Sequence, residues 1–167
     1  PISVHGDHMH KKNGLMFSYR FANMRMNKVL NGTKSISTNA IMTAPNGASN
    51  GEGNYMNAPV SMKMDMHMLG AMFAPTDYLT IMLMTNYSQK EMTQQRVAMS
   101  GGGRFDVNSS GFGDVRLSGL IKLINNDKIK SHLGIGLSIP SGSINQRDNT
   151  PASNNTRLGY AMQNGSG

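Results

Sequence analysis

Leu15-Met16-Phe17-Ser18-Tyr19-Arg20-Phe21-Ala22-Asn23-Met24-Arg25-Met26 carries the pattern on which the fold turns. Leu15, Phe17, Tyr19 and Phe21 hold one set of alternate positions; Met16, Ser18, Arg20 and Ala22 hold the other. A period of two puts each set on its own face of a β-strand. Four further stretches repeat it. In 61–73, Met62, Met64, Met66 and Met68 alternate with Lys63, Asp65 and His67. In 78–88, Leu79, Ile81, Leu83 and Tyr87 alternate with Thr80, Met82, Met84, Asn86 and Ser88. In 114–124, Val115, Leu117, Ile121 and Leu123 alternate with Arg116, Ser118 and Lys122. In 131–139, Leu133, Ile135, Leu137 and Ile139 alternate with His132, Gly134, Gly136 and Ser138. No stretch makes an amphipathic helix, so the expected class is all-β.

The connections alternate as well. Ala74-Pro75-Thr76-Asp77 and Asn125-Asn126-Asp127-Lys128 are tight turns, the first led by proline. The remaining links, 31–60, 93–113 and 141–167, are long and rich in Asn, Gly and Ser. Short turns at one end and long loops at the other describe an antiparallel transmembrane β-barrel, with its turns in the periplasm and its loops outside. The lipid interior offers backbone N–H and C=O groups no water, so strands cross it only in a sheet that satisfies them. Apolar side chains then face acyl chains and ionic ones face a wet lumen. On that rule the lumen is lined by Arg20, Lys63, Asp65, His67, Met82, Met84, Arg116 and Lys122, and carries a positive field. The row Met62, Met64, Met66 and Met68 is then expected against lipid, where methionine is an unbranched apolar residue. Met16, Met24, Met26, Met82 and Met84 fall on the lumenal parity. Phe73 and Tyr78 flank a short turn, where an interfacial girdle places aromatics.

Composition supports this and narrows the rest. Leu, Ile, Val and Phe fill 32 of 167 positions, and sixteen methionines supply much of the missing apolar surface. Charged residues make up 15%, well under the soluble norm of about 25%. The absence of cysteine excludes disulfide scaffolds and thiol catalysis. The net charge of +7 suits anionic headgroups or an anionic solute. Nucleic acid is not expected as a partner, because the basic residues are scattered and few aromatics accompany them. Barrels of one chain start at about eight strands, so 1–167 is expected to be a single, partial barrel domain of five to six strands, or one that closes with further copies.

Several motifs carry a resemblance. Gly6-Asp7-His8-Met9-His10, followed by Gly14-Leu15-Met16-Phe17-Ser18-Tyr19-Arg20-Phe21, resembles the first strand of a transporter-like family of outer-membrane barrels related to the meta-pathway phenol-degradation proteins. Gly111-Phe112-Gly113-Asp114-Val115-Arg116-Leu117 is similar to the opening of a middle strand there. Leu133 to Ser143, ending Ile139-Pro140-Ser141-Gly142-Ser143, resembles a strand end of that family, with Ser141 where threonine is usual. The resemblance covers the N-terminal half or more of such a barrel. It implies a porin-like protein of the Gram-negative outer membrane that passes small molecules, surrounded by lipid and lipopolysaccharide, with envelope proteins or further copies as partners.

Three chemical readings stand beside that one. His5, His8, Met9 and His10 lie in an N-terminal segment, 1–14, expected in the periplasm. Imidazole and thioether suit copper, the only cofactor the sequence suggests. The rival function is therefore a copper-binding envelope protein using this segment and the methionine-rich strands. A second rival is a soluble β-sandwich with the methionine faces as core. Asp114, Ser118 and His132 have the residue types of a catalytic triad, but nothing in their spacing brings them together, and no enzymatic activity is expected. Gly101-Gly102-Gly103 lacks the lysine and the following helix of a phosphate-binding loop.

Overall fold

The computed structural model describes residues 11–45, 53–98, 101–126 and 129–167. The chain is all-β. In order, its elements are β1 (Leu15–Met26), β2 (Val29–Asn31), β3 (Lys34–Ile36), α1 (Thr38–Thr43), β4 (Asn57–Thr76), β5 (Leu79–Arg96), β6 (Arg104–Phe112), β7 (Val115–Asn125), β8 (Lys130–Ile139), β9 (Arg147–Asp148) and β10 (Thr156–Arg157). Six of these form one antiparallel sheet in the order β1-β4-β5-β7-β8, with β6 also on β5. Among the described residues β1, β8 and the far side of β6 are its open edges. No helix among them is long and apolar enough to cross a membrane, which leaves crossing by strands untouched.

All five stretches with period-two alternation are strands, and β1 has the expected bounds. The long connections differ from expectation. Most of 93–113 is strand: β5 runs on to Arg96 and β6 pairs with it from Arg104 to Phe112. The region 31–60 holds the β2–β3 hairpin and α1, whose N-cap Ser37 hydroxyl accepts from the Ala40 N–H.

β6 and β7 lie end to end on β5. Tyr87 pairs with Phe112 and Met84 with Arg116, so three residues, 113–115, oppose two, 85–86. This is a β-bulge. The Gly113 N–H donates to the Asn86 carbonyl at 2.7 Å. The extra residue resets the alternation, so Phe112 and Val115 share a face, and it leaves Asp114 outside both strands.

The register defines two contrasting faces. One face is read row by row. Leu15, Phe73, Ile81, Gly119 and Ile135 are successive partners across five strands, and so are Phe17, Ala71, Leu83, Leu117 and Leu137. Farther from the short turns, Phe21, His67, Tyr87 and Phe112 form an aromatic row across four strands. Beyond it come Asn23, Asp65, Gln89 and Ser110, then Arg25, Lys63, Glu91 and Asn108. Apolar, aromatic and polar zones thus succeed one another along the strands.

On β4 and β5, at the middle of the sheet, the opposite face is buried where the first is bare. Phe17 is 75% and Leu83 49% exposed, while Met72 and Met82 are 6% and 4% exposed. Met72, Met82 and Leu120 pack together with Met16 and Met84 against them. Side chains that converge on one face and splay on the other belong to a sheet curled toward the first, as twisted and coiled sheets do.

Candidate functional site: the methionine face

The buried face is built from methionine. Its rows read Met16-Met72-Met82-Ser118, Ser18-Gly70-Met84-Arg116, Arg20-Met68-Asn86, Ala22-Met66-Ser88, Met24-Met64-Lys90 and Met26-Met62-Met92-Val107. All eleven methionines of β1, β4 and β5 lie here. Gly70 makes room for the row it sits in: a Cβ there would stand 2.6 Å from the Ser18 hydroxyl and 3.6 Å from Met84 Cγ.

This arrangement corrects the reading of β4. Arg20, Met82, Met84, Arg116 and Lys122 share the methionine face, but Lys63, Asp65 and His67, expected beside them, do not. They lie on the outer face with Arg25, Asn23 and Phe21, and the methionine row 62–68 is inside. The cause is position along the strand. Lys63 and Asp65 stand beyond the aromatic row, where the outer face is polar on every strand, and His67 stands in that row. Asp65 accepts a short hydrogen bond from the Asn23 amide. His67 Nδ1 and the Tyr19 hydroxyl are 2.8 Å apart, and the Phe21 ring centroid lies 5.1 Å from the imidazole.

Residues 141–167, expected as a third free loop, pack back onto the methionine face. Leu158 and Met162 are buried against Met92 and Val107. The Ser109 hydroxyl donates to the Met162 carbonyl at 2.6 Å, and the Ser88 hydroxyl donates to Asn164 Oδ1 at 3.0 Å. The Lys90 ammonium donates to the carbonyls of Ala161 and Gln163. Gln163, itself buried, ties the segment together: its amide donates to the Leu158 carbonyl at 2.7 Å and its oxygen accepts from the Gln146 N–H at 2.8 Å.

Asp114 closes the construction. One carboxylate oxygen accepts from the Gly142 N–H and the other from the Ser166 N–H, each at 3.0 Å. The Ser141 hydroxyl accepts from the Val115 N–H at 3.0 Å. The Gly-Asp motif at 113–114 and the Ser-Gly motif at 141–142 therefore form one clamp. Gly142 and Gly165 meet backbone to backbone inside it, where a Cβ on Gly142 would lie 2.6 Å from the Gly165 Cα.

Between this segment and the sheet lies a cleft of about 330 Å³. Met64, Met66, Met68 and Met84 line it together with Asn86 and Arg116 of the same sheet face, and Asn164 lines it from the packed segment. Soft, apolar thioethers and cationic or amide donors thus stand side by side. His5, His8, Met9 and His10 lie outside the described residues. Among the described residues no group of three or more His, Asp or Glu is placed to hold a metal ion. Nor does any hydrogen bond among those residues link Ser118 or His132 to Asp114, which is held by Gly142 and Ser166.

The side taken by Met62, Met64, Met66 and Met68 is the feature sequence reasoning missed; Met16, Met24, Met26, Met82 and Met84 share one face, as their parity predicts. A signal for it existed: Leu69, Ala71 and Phe73, nearest the 74–77 turn, share the parity of Lys63 and mark that parity as the outer one. No protein-family model, curated protein or solved structure matches the chain.

Proposed function

We propose that this chain is part of a β-barrel of the Gram-negative outer membrane that passes small molecules without catalysis, in the manner of the transporter-like barrels its strand motifs resemble. One observation carries the reading: the apolar rows are on the bare face of the sheet, and Arg20 and Arg116, which lie level with those rows, are on the other face. In a water-soluble sheet the assignment is reversed. From Leu79 to Tyr87 the strand advances about 26 Å at 3.3 Å per residue, or roughly 20 Å across a bilayer at the usual barrel tilt. That matches an apolar band of about 25 Å bounded by aromatics. The Phe21-His67-Tyr87-Phe112 row then stands at the outer interface, and the polar rows beyond it stand in water and lipopolysaccharide. Tyr78, in the short turn, stands at the periplasmic interface. The edges β1 and β8 would close through further strands, from a longer chain or further copies.

The inner face gives the lumen Arg20, Arg116 and Lys122, a field that draws anions, and 141–167 narrows it as an inward-folded segment. Reconstitution tests this directly. In planar bilayers the protein will give discrete conductance steps, and vesicles containing it will swell in small neutral solutes. A protein that stays soluble and monomeric without detergent, and conducts nothing, contradicts the proposal.

A further inference from the structure

We propose that the end of the methionine face farthest from the short turns binds a soft monovalent cation, Cu(I) or its analogue Ag(I), through the thioethers of Met24, Met26, Met62 and Met64, with Met92 beside them. Partition is the first argument. Leu, Ile and Phe fill the apolar rows of the outer face, yet none of the eleven methionines of β1, β4 and β5 is there. Apolar bulk alone gives no reason for that exclusion, because methionine serves on a lipid-facing surface as well as leucine. What methionine adds on the inner face is sulfur.

Geometry is the second. Met24 directly opposes Met64, and Met26 directly opposes Met62, which in turn opposes Met92. Opposed residues in an antiparallel pair have Cα atoms about 4.5–5.5 Å apart, and next-but-one residues on a strand are about 7 Å apart. Three rotatable bonds per side chain let sulfurs so placed converge on one ion. Access is the third: Met24 and Met26 are 41% and 39% exposed, unlike the Met72–Met82 pair packed near the short turns.

Electrostatics permit a monovalent guest. Lys90 is next in the Met24–Met64 row, but its ammonium is turned to the Ala161 and Gln163 carbonyls. Arg20 stands four residues from Met24, about 13 Å along the strand. Thioethers are neutral and soft, which selects Cu(I) over the harder divalent ions. This site requires only the register of β1, β4 and β5, so it stands or falls separately from the membrane reading.

The test uses the full chain in detergent with His5, His8 and His10 replaced by alanine, so that imidazoles contribute nothing. Cu(I) is supplied without oxygen against a chromogenic Cu(I) chelator. About one ion per chain is expected to remain bound. M62L/M64L, which preserves apolar volume, will weaken retention at least tenfold, while M72L/M82L will leave it unchanged; circular dichroism will verify the strands in each. No Cu(I) retained by the parent, or equal loss in the two double variants, overturns the site.

Discussion

The two halves of β5 face different surroundings. From Leu79 to Tyr87 the outer positions Leu79, Ile81 and Leu83 are apolar and the inner Thr80, Met82 and Met84 are covered; from Ser88 to Arg96 the outer positions Gln89, Glu91 and Thr93 are polar. One strand, with unbroken pairing to β4 from Ile81 to Thr93, thus changes its outer face from greasy to wet at Tyr87. The backbone does not set that boundary. The solvent around each half does, and an acyl layer that ends at the aromatic row accounts for it.

The largest effect that can break this comparison is a charge on each half. Leu83→Arg, in the middle of an apolar row, will destabilise the protein folded in lipid vesicles by about 2–4 kcal/mol, the cost of a basic side chain near a bilayer midplane. Gln89→Arg, on the same face beyond Tyr87, will cost close to nothing. Urea titration of both in vesicles checks this, and equal costs would erase the distinction between the halves.

Next in size is the clamp that holds 141–167 against the covered face. The Asp114 carboxylate accepts from the Gly142 and Ser166 N–H groups, bonds that exist only in the folded chain. A fluorophore on Tyr160→Cys will report a packed segment in the parent. Asp114→Asn, which replaces one accepting oxygen with a donor at constant shape, will loosen it.

A smaller effect sharpens the contrast within the half nearest the turns. The Thr80 hydroxyl is buried with no hydrogen-bond partner among the described residues. Thr80→Val removes the unpaired group at constant shape and will stabilise the fold by about 1 kcal/mol in the same titration.

The same boundary decides what could be read from the sequence. Where one side of a strand is apolar and the other is not, alternation is plain, and all five such strands are present. β6 carries Asp106, Asn108 and Ser110 on one face and Phe105, Val107 and Ser109 on the other, too weak a contrast to separate it from a loop by sequence. The extension of β5 beyond Tyr87 was hidden for the same reason. In β4 the alternation was plain but its sense was inverted: charge was taken to mean inside, although charges beyond the apolar rows face water on either side. The packing of 141–167 was illegible because its contacts are with residues such as Ser88, Lys90 and Ser109, which lie more than fifty positions away. Asp114 enters the sequence reading through a resemblance and as a triad residue type, and neither pairs it with Gly142, which lies 28 positions away.

Because the chain has no cysteine, single cysteines from 79 to 96 can each carry a spin label in vesicles without background. Accessibility to a lipid-soluble and a water-soluble relaxation agent then tests the face assignment position by position. The expected record alternates from 79 to 87, with labels at 81 and 83 in lipid and those at 82 and 84 shielded from it, and shows water at 89, 91 and 93. Lipid contact at 82 and 84, or water at 81 and 83, would contradict it.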